Sequence, residues 1–204
     1  MLLANAALSA LVNLVVFAGF PFVAYFVYQK WRRKRALGEI LQRAGLQLGA
    51  GRYLAYSAAV ACAGVAILVL WPLPLDPLVR KGSPQQPFVG LGLSGPAVLA
   101  ALLYGCVQTG FPEEFLFRGL IAGSLSRRLP LLWANLGQAF IFLIPHLLVL
   151  TVMPELWGIF PIIFAGALFC GWVRIKSGSI FGSWLLHASS NVAMCLSVAV
   201  RTAT

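Results

Sequence analysis

Two adjacent carboxylates, Glu113 and Glu114, lie in the segment Phe111-Pro112-Glu113-Glu114-Phe115-Leu116-Phe117-Arg118. They are two of only five acidic residues in a chain of 204. The only two histidines, His146 and His187, also fall in apolar runs, and Asn191 follows His187 by one helical turn. Ionisable groups are costly in a bilayer and mark functional sites there. Peptide-bond hydrolysis needs a base that deprotonates water and donors aimed at an oxyanion; a carboxylate can be the base, and His and Asn supply donors. The same residue types also build a zinc site of two histidines and one carboxylate, or the proton relay of a small transporter. Taken singly, each has a plainer reading: a lone histidine packs and hydrogen-bonds, and a Glu–Arg pair holds a helix.

Spacing sharpens the set. Glu114 and Arg118 are i and i+4, so they can pair along one helix face. His187 and Asn191 share the same offset and face one interior. Glu113 diverges from Glu114 by about 100° around a helix axis, which gives the two carboxylates different jobs. Pro112 either kinks this helix or begins a new one. In the second case both carboxylates sit in a first turn, where the helix dipole favours an anion.

The elements that carry these residues are membrane spans. The chain is 60% hydrophobic and 10% charged, against about 25% charged in soluble domains. Six apolar segments are long enough to cross a bilayer. They run about 2–28, 53–71, 96–126 with the glutamates, 131–153 with His146, 156–173, and 179–200 with His187. The expected fold is an all-α, polytopic transmembrane bundle of about six spans around a polar active-site cavity. It forms a single domain, with a motif-bearing core over about 96–200 and two additional spans in 1–71. The uncharged stretch 1–28 reads as a retained first span, not a cleaved signal. Residues 36–47 form a surface or short packed helix. Cys62, Cys106, Cys170 and Cys195 read as buried, inert thiols.

The net charge of +10 reflects topology signals, not nucleic-acid binding, because the basic residues sit at the ends of apolar runs. With the N-terminus outside, eleven of the 15 Lys and Arg fall in inner loops, among them Arg32, Arg127 and Arg174; Arg80, Lys81 and Arg201 fall outside, and Arg118 lies within the membrane. Both termini are then external. On this topology Glu113, His146, His187 and Asn191 come to similar depths, about 13–22 Å from the inner face, which permits one shared site.

Three ordered motifs carry a family resemblance. Glu113-Glu114-Phe115-Leu116-Phe117-Arg118 resembles the E-E-x-x-x-R motif of the CPBP family (CAAX protease and bacteriocin-processing, or Abi). Phe142-Leu143-Ile144-Pro145-His146 resembles its F-x-x-x-H motif, and His187-Ala188-Ser189-Ser190-Asn191 its H-x-x-x-N motif. The resemblance implies an Rce1-like intramembrane glutamic endopeptidase in a bacterial-type plasma membrane. It implies that Glu113 activates water with His146 assisting, that His187 and Asn191 complete the site, and that Glu114 and Arg118 support it. No metal or other cofactor is expected. The implied partners are membrane lipid and a protein or peptide substrate, lipid-modified in one version. The alternative is a non-proteolytic immunity or scaffold protein that keeps the fold.

Overall fold

A computed structural model describes residues 1–203. Among these there is no strand. Helix α1 (Leu2–Arg32) leads through a basic turn to the short α2 (Leu37–Arg43) and then to α3 (Gly51–Leu70). A loop containing α4 (Leu75–Val79) precedes α5, continuous over 95–125. Helix α6 (Leu131–His146) runs on as a 3-10 segment, Leu147–Thr151. A second 3-10 segment, Pro154–Ile159, opens α7 (Phe160–Ser177), and α8 (Phe181–Arg201) ends the chain.

Five of these stretches are long and apolar enough to cross a membrane: Leu2–Arg32, Gly51–Leu70, Leu131–Thr151, Pro154–Ser177 and Phe181–Arg201. The sixth expected span is α5, whose apolar run is diluted by Gln108, Thr109, Glu113, Glu114 and Arg118. The bundle therefore has five apolar spans and one polar helix among them.

Its polarity is inverted relative to a water-soluble protein. Glu114, Arg118, Gln138, Ser57 and Ser183 are among the fully buried side chains, whereas Phe20, Trp133 and Ile144 are 67%, 62% and 63% exposed. Lipid solvates such an exterior, and the polar groups must satisfy one another inside. Three of the cysteines are buried or half-buried, but Cys62 faces outward, where an apolar thiol is at home in lipid.

Each end of the bundle is tied by loops. At the basic end, the carbonyl of Arg43 accepts from Arg174 Nη2 at 2.8 Å, Gln47 Nε2 donates to Gly178 O at 3.2 Å, and Ile180 N donates to Gly45 O at 3.0 Å. Gly178 adopts φ +74°, the left-handed conformation that stops α7 and turns the chain into α8. Within residues 36–47 the helix Leu37–Arg43 is thus packed, with Ile40 and the following Ala44 buried, and is not a free surface helix. At the other end Arg80 forks onto Glu155, at 2.8 and 3.3 Å, and reaches Val152 O at 2.8 Å, while Arg201 Nη1 reaches Leu73 O at 2.8 Å.

Two close approaches set the interior geometry. A side chain at Gly105 of α5 would meet Val192 Cγ2 at 2.6 Å and Ala188 O at 2.8 Å on α8, so only glycine lets these helices come this near. Between α6 and α7, Asn135 Nδ2 donates to Leu168 O at 2.9 Å and Gln138 Nε2 to Ala167 O at 2.8 Å; both amides press on Gly171. Small residues allow helix backbones to pack in lipid, and neutral amides then join them.

Candidate functional site

Helix α5 does not wind uniformly. Residues Leu103–Gly110 and Glu114–Ala122 are π-helical, with a short α turn, Phe111–Glu113, between them. Wide π turns are uncommon and recur at functional sites. They also explain how Pro112 is carried: its ring would collide with the carbonyl four residues back in an ordinary turn. The helix neither breaks nor restarts there, since Gly110 keeps helical φ −55° and ψ −59°. Glu113 and Glu114 therefore lie mid-helix, and the dipole of a first turn does not hold them.

Glu114 is fully buried and saturated on one oxygen. Its Oε1 lies 3.0 Å from Arg118 Nη1 and 3.0 Å from His187 Nδ1. Arg118 is itself buried and its Cζ sits 4.0 Å from the centroid of Phe142, a cation–π contact in a dry interior. The i, i+4 pairing expected from spacing is thus present, and His187 of α8 joins it. A carboxylate accepts, so His187 Nδ1 carries the proton and Nε2 faces away from Glu114.

Glu113 occupies the opposite situation. Its side chain is 27% exposed, and its nearest charged neighbour is His187 Nε2, 3.8 Å from Oε2. That distance is too long for a hydrogen bond, so the carboxylate keeps its lone pairs. The divergence of the two glutamates read from the sequence is realised as one buried, paired acid and one open acid, both facing the same imidazole.

Asn191 reaches back to α5, where its Nδ2 donates to Thr109 Oγ1 at 2.7 Å. Thr109 spends its own proton on Tyr104 O at 3.0 Å, so it must accept from the amide. This fixes the orientation of Asn191 and leaves its second amide hydrogen free. Thr109 lies four residues before Glu113 and was not singled out in the sequence; a hydroxyl within an apolar run was its only signal.

His146 lies at the last α-helical residue of α6, where winding tightens to 3-10, and not deep within a straight span running to 153. Pro145 beside it removes a backbone donor and weakens the regular ladder. His146 Nδ1 contacts Phe142 O at 2.8 Å. A carbonyl only accepts, so the neutral ring leaves Nε2 with a lone pair. Phe142 is the hub: its ring centroid is 4.4 Å from that of His146 and 6.0 Å from that of His187. The two histidines therefore flank one aromatic ring on which Arg118 also rests.

The expected polar cavity takes the form of a packed polar cluster, open at Glu113 and at His187, whose side chain is 14% exposed. A cavity of about 440 Å³ lies elsewhere, at the basic end of the bundle. Among the described residues no three His, Cys, Asp or Glu side chains converge as a metal-ligand set.

The fold and the cluster define an integral membrane protein of helical-bundle type with two glutamates from one helix and a histidine from another in its interior. Residues 95–193 match the family model described as Type II CAAX prenyl endopeptidase Rce1-like, so the resemblance carried by the three motifs holds over this segment. All six residues, Glu113, Glu114, Arg118, His146, His187 and Asn191, fall within it. The family implies a peptidase with a protein substrate in a membrane setting. No curated protein and no solved structure gives a match.

Proposed function

We propose that this chain is an intramembrane endopeptidase that hydrolyses a peptide bond of a membrane-associated or lipid-modified protein or peptide, with water activated by Glu113. The observation that carries this reading is the asymmetry of the glutamates. Glu114 is consumed by Arg118 and His187, while Glu113 is open and unbonded beside His187 Nε2. Glu113 takes a proton from water as the oxygen attacks the scissile carbonyl, and His146 Nε2 assists as a second acceptor. Protonated His187 and the free amide hydrogen of Asn191 donate to the oxyanion. The C–N bond then breaks as the proton held by Glu113 passes to the leaving amine. Glu114 and Arg118 position His187 and do not touch substrate.

A farnesylated C-terminal peptide is the first substrate to try, given the prenyl endopeptidase named in the family description. Purified protein in nanodiscs cleaves it at a rate that EDTA and phenanthroline leave unchanged. Loss of cleavage that added zinc restores would replace the glutamate reading with a metal one. Absence of cleavage across prenylated and unmodified membrane peptides would favour the scaffold alternative.

The proposed orientation puts the arginine-rich end in the cytoplasm and both termini outside, in a plasma membrane. The support is the gathering of Arg33, Arg35, Arg43, Arg127 and Arg128 around one end of the bundle, as retention of basic loops on the inner side requires. A cysteine placed at residue 127 is protected from an impermeant maleimide in intact cells and labelled once they are opened. Labelling in intact cells would invert the topology.

A further inference from the structure

The cavity of about 440 Å³ lies between the end of α1, α2 and the turn after α5, and Arg33, Arg35, Arg43, Arg127, Arg128 and Tyr25 line it. Five guanidiniums face one space. The carboxylate paired with this group is Glu39, which bridges Arg35 at 2.8 Å and Arg43 at 3.0 Å. Arg33, Arg127 and Arg128 have no carboxylate partner among the described residues. Like charges held together in this way destabilise the bundle unless an anion joins them.

The cavity also offers neutral donors. Tyr25 Oη is buried without a hydrogen-bond partner, and Ser124 also lines the cavity. Arg127 is pinned by its bonds to Ser124 Oγ at 3.1 Å and Arg43 O at 3.4 Å, and Arg33 by its bond to Tyr28 Oη at 3.1 Å. Forks already held in place lose little freedom on gripping a tetrahedral oxyanion, which suits phosphate recognition.

We infer that this cavity is a binding site for the phosphate of an anionic phospholipid headgroup. The same chemistry would accept free phosphate, but the surroundings favour a lipid. Phe20 and Val23 of α1 are 67% and 58% exposed within about two turns of Tyr28, so an acyl chain has an apolar helix face to lie on. Tyr25, Tyr28 and Trp31 stand at the level where aromatic side chains meet headgroups. Basic pockets at the ends of transmembrane helices on the cytoplasmic side recognise such lipids. The site is separate from the Glu113 cluster and does not depend on the chain being a peptidase.

The test uses full-length protein in nanodiscs of equal phosphatidylglycerol and phosphatidylcholine, followed by extraction in mild detergent and quantification of bound lipid by mass spectrometry. Wild type retains phosphatidylglycerol in preference, and rising salt erodes the preference. Arg33→Gln and Arg128→Gln, both at exposed positions, each lower the enrichment about fivefold, and Arg→Lys at the same sites keeps most of it. Glu113→Gln leaves it unchanged. Inorganic phosphate at millimolar concentration does not displace the lipid. Equal retention of the two lipids by wild type, or enrichment indifferent to both the arginine variants and salt, overturns the site. Full displacement by inorganic phosphate overturns the lipid as its occupant.

Discussion

Glu113→Gln lowers peptide cleavage by about 10²–10⁴-fold, the usual contribution of a positioned general base, and leaves the thermal midpoint near that of wild type. The amide is isosteric and keeps the shape of the site. The carboxylate it replaces makes no ion pair shorter than 3.8 Å and is 27% exposed, so little packing or pairing is lost. His146→Ala has a similar effect on rate, because it removes the Nε2 acceptor of a ring anchored through Nδ1 beside Phe142. Steady-state cleavage of one peptide, measured with melts in the same detergent, checks both. Full activity in either variant removes that residue from the reaction.

Glu114 and Arg118 give the opposite pattern. Both are buried, and removal of one partner from a buried ion pair strands the other at a cost of about 3–5 kcal/mol. Glu114→Ala also takes the acceptor from His187 Nδ1. The imidazole is then free to change tautomer or turn, so activity falls together with stability. Arg118→Ala takes from Glu114 its paired guanidinium and removes the cation over Phe142. Replacing both with neutral residues costs less than the sum of the single changes, since neither charge is left unpaired. Thermal melts of the four proteins close the cycle. Strict additivity, combined with a larger loss for Glu113→Ala than for Glu114→Ala, would show that the roles are reversed.

Much of this arrangement was legible in the chain because lipid enforces simple rules. Apolar run length located the helices, and the scarcity of carboxylates and imidazoles singled out Glu113, Glu114, His146 and His187. The offset of four placed Arg118 on Glu114 and Asn191 on the face of His187. The winding of α5 was not legible, because a π turn leaves hydrophobic patterning almost unchanged over a few residues. This is why Pro112 was read as a kink or a start. His187 bridging both glutamates depends on the approach of α8 to α5 at Gly105, a contact between residues far apart in sequence. Thr109 came to view only with the fold, as the acceptor that orients Asn191; Phe142 stood in the sequence as a motif residue, but its place as the surface shared by His146, His187 and Arg118 needed the fold.

The outward turn of the large apolar side chains bears on how such a protein can diverge. Lipid tails solvate leucine, isoleucine, valine and phenylalanine almost alike. Exchanges at Leu8, Leu11, Val12 or Val15 of α1, or at Ile67 and Val69 of α3, all exposed, therefore alter identity without altering the fold. Drift at such positions is nearly neutral, whereas the interior accepts few alternatives at Gly105, Glu114 or Gln138. Helices α1 and α3 are therefore free to diverge while they still wrap the bundle, and both lie outside the segment 95–193 over which the family model matches.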